Sequence, residues 1–251
     1  ISNGSSTFTK RSVLPTKSAP NWASMFMGVP TEIHGYTTWD SKTPEIPVSI
    51  DMKNEIFPTI FQILRKEQPD SEIGCLYEWE GIKYLVDTLS LSYHDIIPDY
   101  VNNKTMLADK AVEYITSKEP ELFAVIFDGA DNIGHTYGFD SEEYQGELQF
   151  IDSEIGRILE AINESKLRDR TVVIVTSDHG GINKDHGGHS IEEIDTPFIV
   201  YGHGIKRGYD IESIMMQYDV AVTIAGLLGI IPPNIWRGRY VDSIVDCVNT
   251  S

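Results

Sequence analysis

Two kinds of apolar pattern alternate along the chain. Glu121 to Phe127 and Thr171 to Thr176 are continuous apolar or β-branched runs, which is how strands buried on both faces of a parallel sheet read. Glu72 to Tyr77 and Pro197 to Tyr201 predict two further strands, and the alternation over Ile1 to Leu14 predicts another. Between them apolar residues recur at helical spacing over Ile56 to Glu67, Lys104 to Lys118 and Glu142 to Ser165. Shorter helices are expected at Trp22 to Gly28, at Glu80 to Ser90, and at Val220 to Leu228 with Asp219 as N-cap, then a short strand over Gly238 to Val245. Val29 to Pro58, rich in proline, threonine and aromatics, reads as a long loop over the sheet edge. Strand and helix in alternation predict an α/β fold: a doubly wound, mostly parallel sheet with helices on both faces. No repeat or linker divides the chain, so residues 1–251 read as a single domain.

Chemistry gathers where the two continuous strands stop. After Thr176 come Asp178, His179, Asp185, His186 and His189, interleaved with glycines that let the backbone turn tightly. The carboxyl ends of strands are where ligands sit in open parallel sheets, and imidazoles with carboxylates suit zinc, manganese or magnesium. The plain alternative is a polar loop. After Phe127 the chain reads Asp128-Gly-Ala-Asp131-Asn-Ile-Gly-His135. One helical turn would bring Asp131 and His135 onto the same face, with Asp128 a competitor for the role and an aspartate-rich turn the alternative. Ser18, in Pro15-Thr-Lys-Ser-Ala-Pro-Asn21, lies at or just before a helix amino terminus. There it serves either as an ordinary N-cap or as a nucleophile beside free N–H groups that cradle a phosphate or sulfate.

Composition narrows the partners. A net charge of −18 argues against nucleic-acid duplexes and anionic membrane surfaces and suits a protein that collects cations. Two cysteines, Cys75 and Cys247, exclude a disulfide scaffold and a cysteine zinc cluster, leaving one possible bridge. No apolar run is long enough to span a bilayer.

Together these segments resemble the alkaline phosphatase superfamily, and most closely its type I phosphodiesterase/nucleotide pyrophosphatase-like branch. Pro15-Thr-Lys-Ser-Ala-Pro-Asn21 is similar to the nucleophile segment, Asp131-Asn-Ile-Gly-His135 to the Asp-x-x-x-His pair of one metal, and Ser177-Asp178-His179-Gly180 to the Asp-His pair of the other. The resemblance implies that Ser18 is the nucleophile, that Asp131, His135 and His186 hold one ion, with His189 in reserve for His186, and that Asp178 and His179 hold the second. It implies two divalent ions, zinc by the donor set, a small phosphate ester as substrate, and a phosphoseryl intermediate.

Relatives of this kind carry one more aspartate ligand on a first strand well upstream of the nucleophile. None of the seventeen residues before Ser18 is an aspartate. The expectation is a domain truncated at its amino terminus, lacking that strand and one ligand. A metal-binding but inactive protein is the alternative. Sulfatase chemistry ranks lower because Ser18-Ala-Pro-Asn-Trp22 lacks the arginine of the sulfatase pattern, and phosphoryl transfer to an alcohol is a further rival. The resemblance, with Asn-x-Ser/Thr triplets at Asn3, Asn103, Asn163 and Asn249, points to an extracytoplasmic location.

Overall fold

The structure, a computed structural model, describes residues 2–48 and 56–246. Cys247 falls outside them, and with it any bridge to Cys75; the Asn249 triplet falls outside as well. In chain order the elements are β1 (Gly4–Arg11), α1 (Ser18–Met27), α2 (Thr31–His34), α3 (Ile60–Glu67), β2 (Ile73–Tyr77), β3 (Tyr93–Ile96), α4 (Met106–Lys118) and β4 (Leu122–Ile126). Then come α5 (Gly129–Tyr137), α6 (Glu142–Glu164), β5 (Val172–Thr176), α7 (Ile191–Ile194), β6 (Asp195–Gly202), β7 (Tyr209–Asp210) and α8 (Asp219–Leu228).

The architecture is open-sheet α/β, but the sheet comes in two parts. β3-β2-β4 is wholly parallel; β5-β6-β1-β7 is mixed, because β6 runs antiparallel to both β5 and β1 while β7 runs parallel to β1. The expectation that Thr171 to Thr176 is a buried parallel strand is therefore corrected. β5 pairs antiparallel with β6, and among the described residues neither β4 nor β5 has a partner on its other edge. Residues of both strands are mostly half-buried despite their two-sided apolar sequence.

Helices nevertheless cover both faces across this break. On one side α1, α3 and α8 enclose a core that takes in Met27, Phe61, Ile73, Cys75, Phe198 and Val222, with Ala124 of β4 and Ile174 of β5 packed against it. On the other, Ile115 of α4 and Ile162 of α6 pack with Phe123 of β4 and Val173 of β5. Fully burying a side chain such as Phe61 or Phe198 stabilises by about 1.5–3 kcal/mol, so these layers hold the strand ends in place without a continuous ladder.

Three local expectations change. Glu80 to Ser90 forms two 3-10 turns, Glu80–Tyr84 and Thr88–Ser90, because Asp87 between them sits at φ 53°, outside helical space. Gly238 to Val245 contains a 3-10 turn, Asp242–Ile244, and no named strand. Asp219 is the first residue of α8 instead of its N-cap, and its carboxylate accepts from Met216 N and Arg239 N, both at 2.8 Å.

α2 ends on His34, which is fully buried. Tyr36 N donates to His34 Nδ1 at 3.1 Å, so the ring proton is on Nε2 and faces Ser24 Oγ at 2.9 Å. Burial pulls the pKa of this imidazole down to about 3, with a backbone bond to Pro20 opposing. Between the usual imidazole value and that one, the unfolded chain binds a proton that the folded chain refuses. Stability is therefore present above pH 6.5 and falls by about 1.4 kcal/mol per pH unit below it. Urea titrations at pH 7 and pH 5 should show a larger loss in the parent than in His34→Gln. An equal pH response in the two proteins would contradict it.

Candidate metal centre and nucleophile

Ser18 is the first residue of α1. The N-cap is Lys17, extended at φ −119° and ψ 157° with no side-chain cap, so Ser18 does not have the capping role its position suggested. The buried Asn21 fixes the approach. Its Oδ1 accepts from Val13 N at 2.7 Å, and its Nδ2 donates to the carbonyls of Val13, Pro15 and Lys17 at 2.9–3.2 Å. The Ser18 hydroxyl is left 3.2 Å from His179 Nε2. His179 Nδ1 lies 2.8 Å from Gly180 O, to which it can only donate, so Nε2 is the acceptor and Ser18 the donor.

Asp178 and His179 follow β5 directly. Asp178 Oδ2 lies 3.3 Å from His179 Nε2, which places two electron-rich atoms against each other. Burial pushes the Asp178 carboxyl above the usual carboxylate range, and Asp131 adds to this against the opposing pull of His179 and His186.

The second group is assembled from α5 and the loop after β5. Asp131 and His135, one turn apart on α5, approach at 3.4 Å, and Asp131 Oδ1 lies 3.4 Å from His186 Nε2. The two Nε2 atoms of His135 and His186 are 3.1 Å apart. Each ring donates from Nδ1 to a backbone carbonyl, His135 to Lys184 O at 2.9 Å and His186 to Thr16 O at 2.8 Å. Both Nε2 atoms thus present lone pairs to one another, and Asp131 Oδ1 is buried with no hydrogen-bond partner among the described residues. One potential ligand atom from each of Asp131, His135 and His186 lies within 4.8 Å of the others. Lone pairs so opposed, oriented by carbonyls behind the rings, fit a bound cation. The His186 ring also stacks on that of His179, with centroids 3.8 Å apart, joining the two groups.

Close backbone contacts hold the loop that carries His186. Thr16 Oγ1 donates to Gly188 O and accepts from Gly187 N, which occupies this hydroxyl in holding the loop. Glu193 accepts from Gly188 N at 2.7 Å, and a Cβ on Gly188 would meet its carboxylate at 2.6 Å. His189 is exposed and lies beside Leu14 and Pro15, outside the three-residue group.

Ser18, Asp128, Asp131, Asp178 and His179 line one narrow cleft, with Trp22, Trp79 and Phe127 as aromatic wall. Asp128, the competitor to Asp131, accepts from Tyr100 Oη at 2.8 Å, and its own N–H donates to Glu78 at 2.7 Å. Burial raises Asp128 to about 6 and Glu78 to about 7. Sequence reading missed Glu78, Tyr100 and the tryptophans, since nothing in their spacing links them to the strand ends.

The profile of the type I phosphodiesterase / nucleotide pyrophosphatase family matches residues 1–198. Among curated proteins the chain is similar to a 2,3-bisphosphoglycerate-independent phosphoglycerate mutase of Wolbachia pipientis wMel, 27% identical over 85% of this chain and 39% of that protein. It is also similar to GPI ethanolamine phosphate transferase 1 of Saccharomyces cerevisiae, 20% identical over 93% and 28% respectively. The chain thus spans well under half the length of these relatives. Among solved structures its fold is similar to murine ectonucleotide pyrophosphatase / phosphodiesterase 5, in an inactive form in complex with AMP, with a TM-score of 0.78 at 16% identity over 98% of this chain and 92% of that one. A 2-O GAG sulfatase gives a TM-score of 0.74 at 16% identity over 97% and 67%. By the match over 198 of its 251 residues, the chain belongs to the type I phosphodiesterase / nucleotide pyrophosphatase family, within the alkaline phosphatase superfamily.

Proposed function

We propose that this chain carries the phosphate-ester-cleaving site of a two-metal hydrolase. The observation that carries the reading is the Ser18 hydroxyl 3.2 Å from His179 Nε2, in one cleft with Asp131 and Asp178. Asp131, His135 and His186 would hold one divalent ion, and Asp178 with His179 the other, His179 through the Nε2 lone pair that Ser18 would then release; zinc is the metal that suits mixed imidazole and carboxylate donors. Such ions, when bound, lower the pKa of hydroxyl groups and offset negative charge on the phosphoryl oxygens. Ser18 Oγ attacks phosphorus in line; the P–O bond to the leaving alcohol breaks, leaving a phosphoseryl group that water then cleaves to regenerate the hydroxyl. Trp22 and Trp79 line the cleft, and the amino terminus of α1 favours the phosphate charge. The similarity to a phosphoglycerate mutase and to an ethanolamine phosphate transferase supports phosphate-ester chemistry at this site, with an alcohol able to replace water as acceptor.

Asp178 and His179 are two ligands where a tightly held ion takes three or more. Among the described residues neither β4 nor β5 has a partner on its other edge, and residues just after both strands line the cleft. We include in the proposal that a further carboxylate ligand completes the site. The second reading, a metal-binding protein without turnover, follows if this chain works without that ligand. No helix among the described residues is long and apolar enough to cross a membrane, and an extracytoplasmic location remains part of the proposal.

The test is zinc content by elemental analysis, with hydrolysis of bis(p-nitrophenyl) phosphate and of p-nitrophenyl phosphate. Two ions per chain with diester turnover support the hydrolase. One ion without turnover supports the metal-binding reading, and no ion with no turnover contradicts both.

A further inference from the structure

β1 carries a lysine where there is no solvent to receive it. The ladder to β6 slips between Thr7 and Lys10, leaving Phe8 and Thr9 exposed and turning Lys10 inward to zero exposure. Bulges re-aim side chains in this way next to functional sites. The ammonium donates to Ser177 O at 3.0 Å and to Gln217 Oε1. Gln217 is itself fully buried, and its Nε2 donates to Asp178 O at 3.1 Å and Asn21 O at 3.4 Å. Asn21 is the residue that fixes the segment leading into Ser18. One hydrogen-bonded chain therefore runs from the peptide units at the end of β5 to the first turn of α1.

Fold stability does not account for this lysine. Burying an ammonium is costly, and replacing a buried ionic group by an apolar one of similar volume is often neutral or stabilising. What Lys10 and Gln217 fix is the spacing of two segments that share no strand pairing, the loop after β5 and the start of α1. We propose that Lys10 and Gln217 are positioning residues, holding the 177–178 backbone against α1 so that Ser18 Oγ stays within reach of His179 Nε2. This rests on reading Ser18 and His179 as site residues, and does not require that the chain turn over substrate.

The test is nitrogen-15 histidine NMR on the metal-free chain, comparing the parent with Lys10→Met and Gln217→Glu. The second variant keeps the acceptor for Lys10 while exchanging the donor to Asp178 and Asn21 for a carboxylate. In both, the His179 Nε2 resonance should move toward that of an unbonded ring nitrogen, while His34, held by Ser24 and Tyr36, stays in place and reports an intact fold. If diester turnover is measurable, kcat should fall by about 10–100-fold with KM little changed, the signature of displaced reacting groups. A shifted His179 in a chain without turnover would count against the hydrolase reading and support this one. An unshifted His179 beside an unshifted His34, in either variant, would overturn it.

Discussion

Ser18→Ala should remove diester hydrolysis almost entirely, by at least about 10³-fold in kcat, while bound zinc and thermal stability stay near the parent values. The two halves of this expectation have different origins. Turnover is lost because the hydroxyl aimed at His179 Nε2 is the atom that would bond to phosphorus, and alanine offers nothing in its place. Stability is kept because Ser18 is the first residue of α1 and does not cap it, so the substitution deletes one side-chain hydrogen bond at a half-buried position, about 0.5–1.5 kcal/mol. Zinc is kept because Asp131, His135 and His186 form their group without Ser18. Undiminished turnover would sink the nucleophile assignment. Turnover lost together with zinc would instead make Ser18 a metal-supporting residue.

The elements bearing this chemistry were legible because periodicity and turn residues agree there. The continuous apolar run up to Phe127 gave β4, and the four-residue step from Asp131 to His135, read as one helical turn, is one in the structure, on α5. α4 and α6 emerged within two residues of the ends their apolar spacing indicated. Pairing was not legible. A two-sided apolar run says that a strand wants neighbours on both edges; it does not say which strand supplies them or in which direction, and β5 proved antiparallel to β6 with a free edge. β3 was missed because Tyr93-His-Asp-Ile96 is short and half polar.

Side chains acting across the fold were the least legible of all. Lys10 sits in an alternating strand pattern that marks it as outward, and only the bulge after Thr7 turns it inward. The Thr16 carbonyl, which orients His186 from 170 residues away, has no sequence signature, since any residue supplies a carbonyl. The sequence could rank His186 above His189 only through the family resemblance; the loop geometry places His186 with Asp131 and His135 and leaves His189 at the surface.

That contrast sets the second large effect. His186→Ala should weaken zinc binding at the Asp131 group by at least about 100-fold, or about 2.7 kcal/mol, whereas His189→Ala should leave it unchanged. His186 contributes a ring whose Nδ1 is anchored on Thr16 O and whose burial holds its pKa below the usual imidazole value, with His179 adding to the shift. The neutral form that a metal requires is therefore favoured in the folded chain. A ligand that binds only the folded state stabilises it by mass action. Zinc at about 100 times its dissociation constant adds about 2.7 kcal/mol, which for a chain of this size raises the melting temperature by roughly 5–10 °C. Melting curves with and without zinc should show that rise in the parent and in His189→Ala, and lose most of it in His186→Ala at the same zinc concentration. Melting in a chelator measures separately what His186→Ala loses without the ion, its Thr16 hydrogen bond and its contact with His179, and the remainder of the difference belongs to the ion. Were His189→Ala the variant that lost the response, the loop after Asp185 would have to swing its other histidine onto Asp131, and the opposed lone pairs of His135 and His186 would no longer mark the metal centre.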